Sequence, residues 1–208
     1  MGKILVNLRS TVILSAVIAL VFLVGYGMHY AKSNGGHVDA IYWQAVLRFL
    51  HVLSGIMWIG LLYYFNFVQI PQMALIPAEQ KPAVTKFIAP AALFWFRWAA
   101  LSTWVFGVLL AFSRGVPYLF GAITLGATDG FHVPQHTFIG VGMWLATIMF
   151  LNVWGIIWPN QKRALGIIEV DADAKAKAGR TAMLASRVNT LLSIPMLTTM
   201  AMNQTIFG

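Results

Sequence analysis

The sequence predicts an all-α integral membrane protein, a bundle of about five transmembrane helices with a cytoplasmic amino terminus. Three observations carry that prediction. Of 208 residues, 59% are hydrophobic and only 10% charged, where a soluble domain carries roughly 25% charged residues. Several apolar stretches reach the ~20 residues that a helix needs to cross the hydrocarbon core. The basic residues between them alternate strongly from one side to the other.

The five expected spans are Thr11 to Tyr30, Ile41 to Ile70, Phe87 to Phe112, Phe138 to Trp158 and Leu184 to Phe207, read as one domain over residues 1–208. Helices are the spanning form expected, because open sheet edges would leave backbone groups unpaired in lipid. Tyr118 to Thr128 is too short to cross and reads as an interfacial, re-entrant or surface segment. Ala172 to Ala178 lacks an apolar face and reads as a hydrated connector. Pro159 is expected to stop the fourth helix, and Pro195 to kink the fifth.

Ten basic residues (Lys3, Arg9, Lys81, Lys86, Lys162, Arg163, Lys175, Lys177, Arg180 and Arg187) fall on one side of this five-span arrangement, and two, Lys32 and Arg114, on the other. Basic loops stay in the cytoplasm, which places the amino terminus inside and the carboxyl terminus outside. A bacterial cytoplasmic (inner) membrane is the expected location. The first span resembles a secretory signal at its basic start, yet its long apolar run and the want of a small-residue cleavage site favour a retained anchor.

The formal net charge of +8 reads as topology and contact with anionic lipid. Nucleic acid is not an expected partner, because the basic residues are scattered over loops without an aromatic-laced groove. There are no cysteines, which excludes disulfides, CxxCH haem attachment, cysteine-held iron–sulfur clusters and thiol catalysis.

Polar residues inside the spans are the functional question, since an ionisable group facing lipid costs several kcal/mol. In the second span Arg48, His51 and Ser54 lie three apart, with Gly55 and Trp58 continuing the stripe. A neutral His51 could ligate a haem b iron, with Arg48 pairing a propionate; alternatively His51 is hydrogen-bonded in packing and Arg48 reaches the outer surface. A second ligand could come from His136 or His132, from His29, or from Met143 or Met200. His132 and His136, four apart, would equally suit a weak metal or quinone site, or stand as solvated loop residues. Arg97, between Trp95 and Trp98, reads as a structural arginine, an anion-holding residue or a second propionate partner. Asn152, Asn189 and Ser193 lie at depths that allow one interhelical network with it.

Three segments carry a family resemblance: HVLSGIMWIGLLYYFNFVQ (51–69), NVWGIIWPNQKRALG (152–166) and SRVNTLLSIPMLTTMAMNQ (186–204). They resemble the membrane domain of the bacterial urate hydroxylase family, the urate oxidase N-terminal domain. The spacing of His51, Gly55 and Trp58 is also similar to that in membrane protoporphyrinogen oxidases and copper-resistance membrane domains. The resemblance implies that His51 is a haem or redox-site histidine. Two departures qualify the activity it implies. Full-length members carry a cytochrome c domain, for which this chain has no cysteine, and a histidine near the outer end of the last span is replaced here by Asn203-Gln204.

Two functions are therefore expected in competition. One is an accessory membrane subunit of a respiratory or other energy-converting complex, packed against other integral membrane subunits and keeping or partly losing a haem b site. The other is a haem b redox protein passing electrons between a quinone or small reductant, a purine such as urate among them, and a separate cytochrome.

Overall fold

The computed structural model describes Gly2 to Phe207, the Lys3 side chain excepted. It is all helical: α1 (Gly2–Val6), α2 (Leu8–Ser33), α3 (Ala40–Tyr63), α4 (Ile70–Leu75), α5 (Lys81–Ala83), α6 (Ala89–Ser113), α7 (Val116–Ile123), α8 (Pro134–Asn152), α9 (Trp158–Ala164) and α10 (Ala172–Phe207). Short π-helical turns at Tyr64–Gln69, Val84–Ile88 and Val153–Ile157 join α3 to α4, α5 to α6 and α8 to α9. Four continuous helical segments are long and apolar enough to cross a membrane: Leu8–Ser33, Ala40–Leu75, Lys81–Ser113 and Pro134–Ala164.

The chain divides into two compact units, one ending at Phe49 and the other beginning at Leu50. In the first, α2 is apolar all round, with Val21, Phe22 and Val24 exposed, as suits a lipid-facing helix. Its turn to α3 is tied at Asp39. One carboxylate oxygen accepts from the backbone N–H groups of Ile41 (2.9 Å) and Tyr42 (3.3 Å), and the other from the Tyr30 hydroxyl (2.9 Å). This is a helix N-cap with a side-chain brace. The Tyr42 hydroxyl donates to the Leu23 carbonyl (2.7 Å), over Gly27.

The second unit is built on a core of Trp58, Leu62, Phe65, Phe96, Met149, Val153 and Ile157. α8 and α10 run antiparallel. Asn152 meets Asn189, Gly142 faces Thr199, and Gln135 reaches the Phe207 carbonyl. Polar residues of α10 are turned into the unit: Ser186, Asn189, Ser193 and Asn203 are buried. They lower the apolar content of α10, and so this helix is not among the four that qualify as spans by composition.

Two local expectations are overturned. Residues 172–178 are not a connector; they are the first turns of the 36-residue α10, with Ala178 buried. Pro159 does not stop its helix, which continues as α9 to Ala164. The reason is visible in all three π turns, each followed by proline at its second residue beyond: Pro71, Pro90 and Pro159. Proline lacks an N–H and its ring strikes the carbonyl four residues back. A π turn shifts that carbonyl and releases its α-type bond, so the helix passes the proline. α10 likewise continues through Pro195. Of the segment 118–128, the first part belongs to α7 and Ala127–Asp129 forms a 3₁₀ turn.

Candidate functional site

His51 projects from α3 onto α6. Its Nδ1 lies 2.8 Å from the Thr103 carbonyl. A carbonyl only accepts, so Nδ1 carries the proton and the neutral ring keeps its lone pair on Nε2. The ring sits over Gly107, where a Cβ would lie 2.9 Å from Cε1 and 3.1 Å from Nδ1. Thr103 is itself anchored by a 2.7 Å bond to the Ala99 carbonyl, and its methyl lies under Gly55. A ring held by Nδ1–H on a backbone carbonyl, with Nε2 unpartnered among the described residues, is the arrangement that orients a ligating histidine. Arg48 lies in the first unit, half-buried, one turn before His51 on the same helix.

Arg97 faces elsewhere. Its guanidinium carbon stands 3.8 Å from the centroid of the Trp158 ring and 5.5 Å from that of Phe94. Nη1 reaches back 3.4 Å to the Leu93 carbonyl, one turn nearer the start of α6. Thr103, the anchor of His51, is six residues on, ~9 Å along the axis, in the opposite direction. Arg97 and His51 therefore do not converge. Trp158, on α9, is the aromatic partner of Arg97 that sequence spacing did not point to.

His136, in the first turn of α8, pairs its Nδ1 with the Asp129 carboxylate. Its ring occupies the place of a side chain at Gly121 of α7 and meets the Tyr118 ring edge-on, with centroids 5.4 Å apart. Asp129 is delivered by a tight turn in which Leu125, Gly126, Gly130 and Phe131 all have positive φ. For Leu and Phe this is a sparsely populated conformation. The hydrogen bond from His136 holds the Asp129 carboxyl below its ordinary value against a smaller opposing cost of desolvation, and the backbone amides of Val133 and Phe131 act in the same sense as His136. His132 is exposed and lies over Gly130. Among the described residues no group of three or more His, Cys, Asp or Glu is placed to hold a metal ion. Asp129 was missed in the sequence; its one signal there is an Asp-Gly turn seven residues before a histidine.

Behind these groups runs a buried amide network. Asn152 Nδ2 donates to Asn189 Oδ1 (2.8 Å) and to the Ala185 carbonyl (2.9 Å), and Asn189 Nδ2 donates to the Met149 carbonyl (3.0 Å). Asn66 Nδ2 donates to Ser186 Oγ (2.8 Å), and Tyr63 shares a 3.0 Å bond with Ser193. Each bond joins two helices, as the depths of Asn152 and Asn189 suggested, but Arg97 is not part of it.

No curated protein and no solved structure is found to match the chain. The family model described as Urate oxidase N-terminal matches residues 112–207. That stretch contains His132, His136, Asp129 and the resembling segments 152–166 and 186–204, and it leaves out His51, Arg48 and Arg97. Over the second half of its length, the chain is thus similar to the urate oxidase N-terminal family.

Proposed function

We propose that this chain is an accessory integral membrane subunit of a respiratory or other energy-converting complex in a bacterial inner membrane, with a one-sided haem b site at His51. It would cross the membrane five times as a single transmembrane domain, amino terminus inside. The fifth crossing is supported by α10 lying antiparallel along α8, and the orientation by the ten-to-two distribution of basic residues. Other membrane subunits and anionic lipid would cover the apolar flanks.

The observation that carries the reading is the His51 Nδ1–H bond to Thr103. It fixes the tautomer, turns the Nε2 lone pair away from α6, and holds the ring against Gly107. An imidazole with its Nε2 lone pair free suits haem iron, and His51 would be the residue that holds it. Haem would supply one-electron transfer when bound; Thr103 and Gly107 orient the imidazole. Arg97 points towards Trp158 and is not proposed as a propionate partner.

The match to the urate oxidase N-terminal family favours a second reading, a haem b redox protein working between a quinone or small reductant, urate included, and a separate cytochrome. The test of both is the visible spectrum of the detergent-purified protein, oxidised and dithionite-reduced, with a pyridine haemochrome assay. About one haem b per chain, lost in His51→Ala, supports the site. A colourless protein isolated within its native complex overturns it and leaves a packing subunit. Reduction by urate or a quinol would favour the second reading over the first.

A further inference from the structure

Two cations share one indole at the end of the second unit that carries the basic loops. Arg97 stands 3.8 Å and Lys162 5.7 Å from the centroid of the Trp158 ring. The Arg97 side chain runs back along α6 to Leu93, towards Lys81 and Lys86. Lys162 is one turn beyond Trp158 on α9. Both residues are half-buried.

Neither has a counter-charge. Among the described residues the one ion pair is His136 with Asp129, and Arg97 makes a single long hydrogen bond, to a carbonyl that already serves its own helix. A guanidinium has five donors, so most of its hydrogen-bonding capacity is unused. An arginine within a membrane helix is costly, and two cations drawn to one ring also repel each other. The aromatic contact offsets part of this. It adds no negative charge.

We infer that Arg97, Trp158 and Lys162 form a binding site for a phosphate-bearing anion, supplied by the headgroup of an anionic phospholipid. The planar guanidinium matches phosphate in a bidentate way, the ammonium adds a point charge, and the exposed indoles of Trp95 and Trp98 beside Arg97 offer acyl chains an apolar wall. Basic clusters between helices at the cytoplasmic face bind such headgroups. The inference rests on the proposal above only in taking the chain to span a membrane.

The test is thermal unfolding of the purified full chain in a neutral detergent, titrated separately with phosphatidylglycerol, phosphatidylcholine and inorganic phosphate. The expected result is a saturable rise in midpoint with phosphatidylglycerol alone. Arg97→Gln and Lys162→Gln should each require on the order of tenfold more lipid, with Arg97→Lys intermediate. Should Arg97→Gln fail to fold, Lys162→Gln and Arg97→Lys carry the comparison. Equal responses in wild type and variants, or an equal response to phosphatidylcholine, overturn the inference. A response to inorganic phosphate that competes with phosphatidylglycerol keeps the phosphate site and overturns the lipid as its source. A colourless protein that still responds sinks only the haem reading, and a haem-bearing protein that does not respond sinks only this one.

Discussion

The imidazole of His51 occupies the space that Gly107 leaves by having no side chain. A histidine on one helix is in this way matched to a glycine on the next, and the match also brings Nδ1 within 2.8 Å of the Thr103 carbonyl.

Gly107→Ala should therefore act on His51. The added Cβ would lie 2.9 Å from the ring, so the ring must move and its bond to Thr103 break, at a cost of about 1–3 kcal/mol. Gly55→Ala is the control, because its Cβ would meet only the Thr103 methyl at 3.7 Å. Chemical unfolding in detergent should separate the two; equal stability would show that the ring relaxes freely.

The amide network makes a second prediction. Asn189 is fully buried and bonded to both Asn152 and the Met149 carbonyl. Asn189→Ala should lower unfolding stability by about 1–2 kcal/mol. Asn160→Ala removes only a bond to its own helix, at Ile156, and should stay within about 0.5 kcal/mol. Comparable losses at the two sites would refute a special role for the buried pair.

Asp129 sets a pH dependence. Its carboxyl is held low, chiefly by His136, so the folded state binds that proton less readily than the unfolded chain. The stabilisation is then complete above the unfolded carboxylate value of about 3.9 and is lost as pH falls through the lower folded value. Unfolding midpoints should drop over that acid window in the wild type and drop less in Asp129→Asn. Parallel curves would remove Asp129 as the source.

The first unit offers a fourth test. A Cβ at Gly27 would lie 2.9 Å from the Tyr42 hydroxyl, whereas one at Gly25 meets nothing within 4 Å. Gly27→Ala should destabilise by about 1–3 kcal/mol and Gly25→Ala should not, as read from thermal unfolding.

How much of this was legible depended on what each residue faces. Lipid demands unbroken apolar runs, so the four helical segments long and apolar enough to cross were plain in the sequence. α10 was readable only in part, because Asn189 faces α8, Ser186 and Ser193 face the helical segment of Tyr63 and Asn66, and its first turns are polar. His51 stood out as an ionisable group in an apolar run, yet its partner is a backbone carbonyl, which any residue carries. Asp129 and His136 meet only because Gly121 leaves room and the 125–131 turn is wound through positive φ, neither of which has a simple periodic signal. Pro159 misled for a physical reason: the π turn before it removes the clash that would end an ordinary helix.

That turn has a further consequence. A π turn holds one residue more than the α turn it replaces, and each residue of an α-helix advances the chain by about 100°. Everything beyond Val153–Ile157 is therefore rotated in phase relative to α8. Trp158 meets Arg97 by virtue of that single inserted step, and Lys162, one turn on in α9, is carried round with it. Deleting Gly155 would leave every residue of the cluster in the sequence and turn the indole away from the guanidinium. Its alignment is a matter of angular register, set by one residue that touches neither cation.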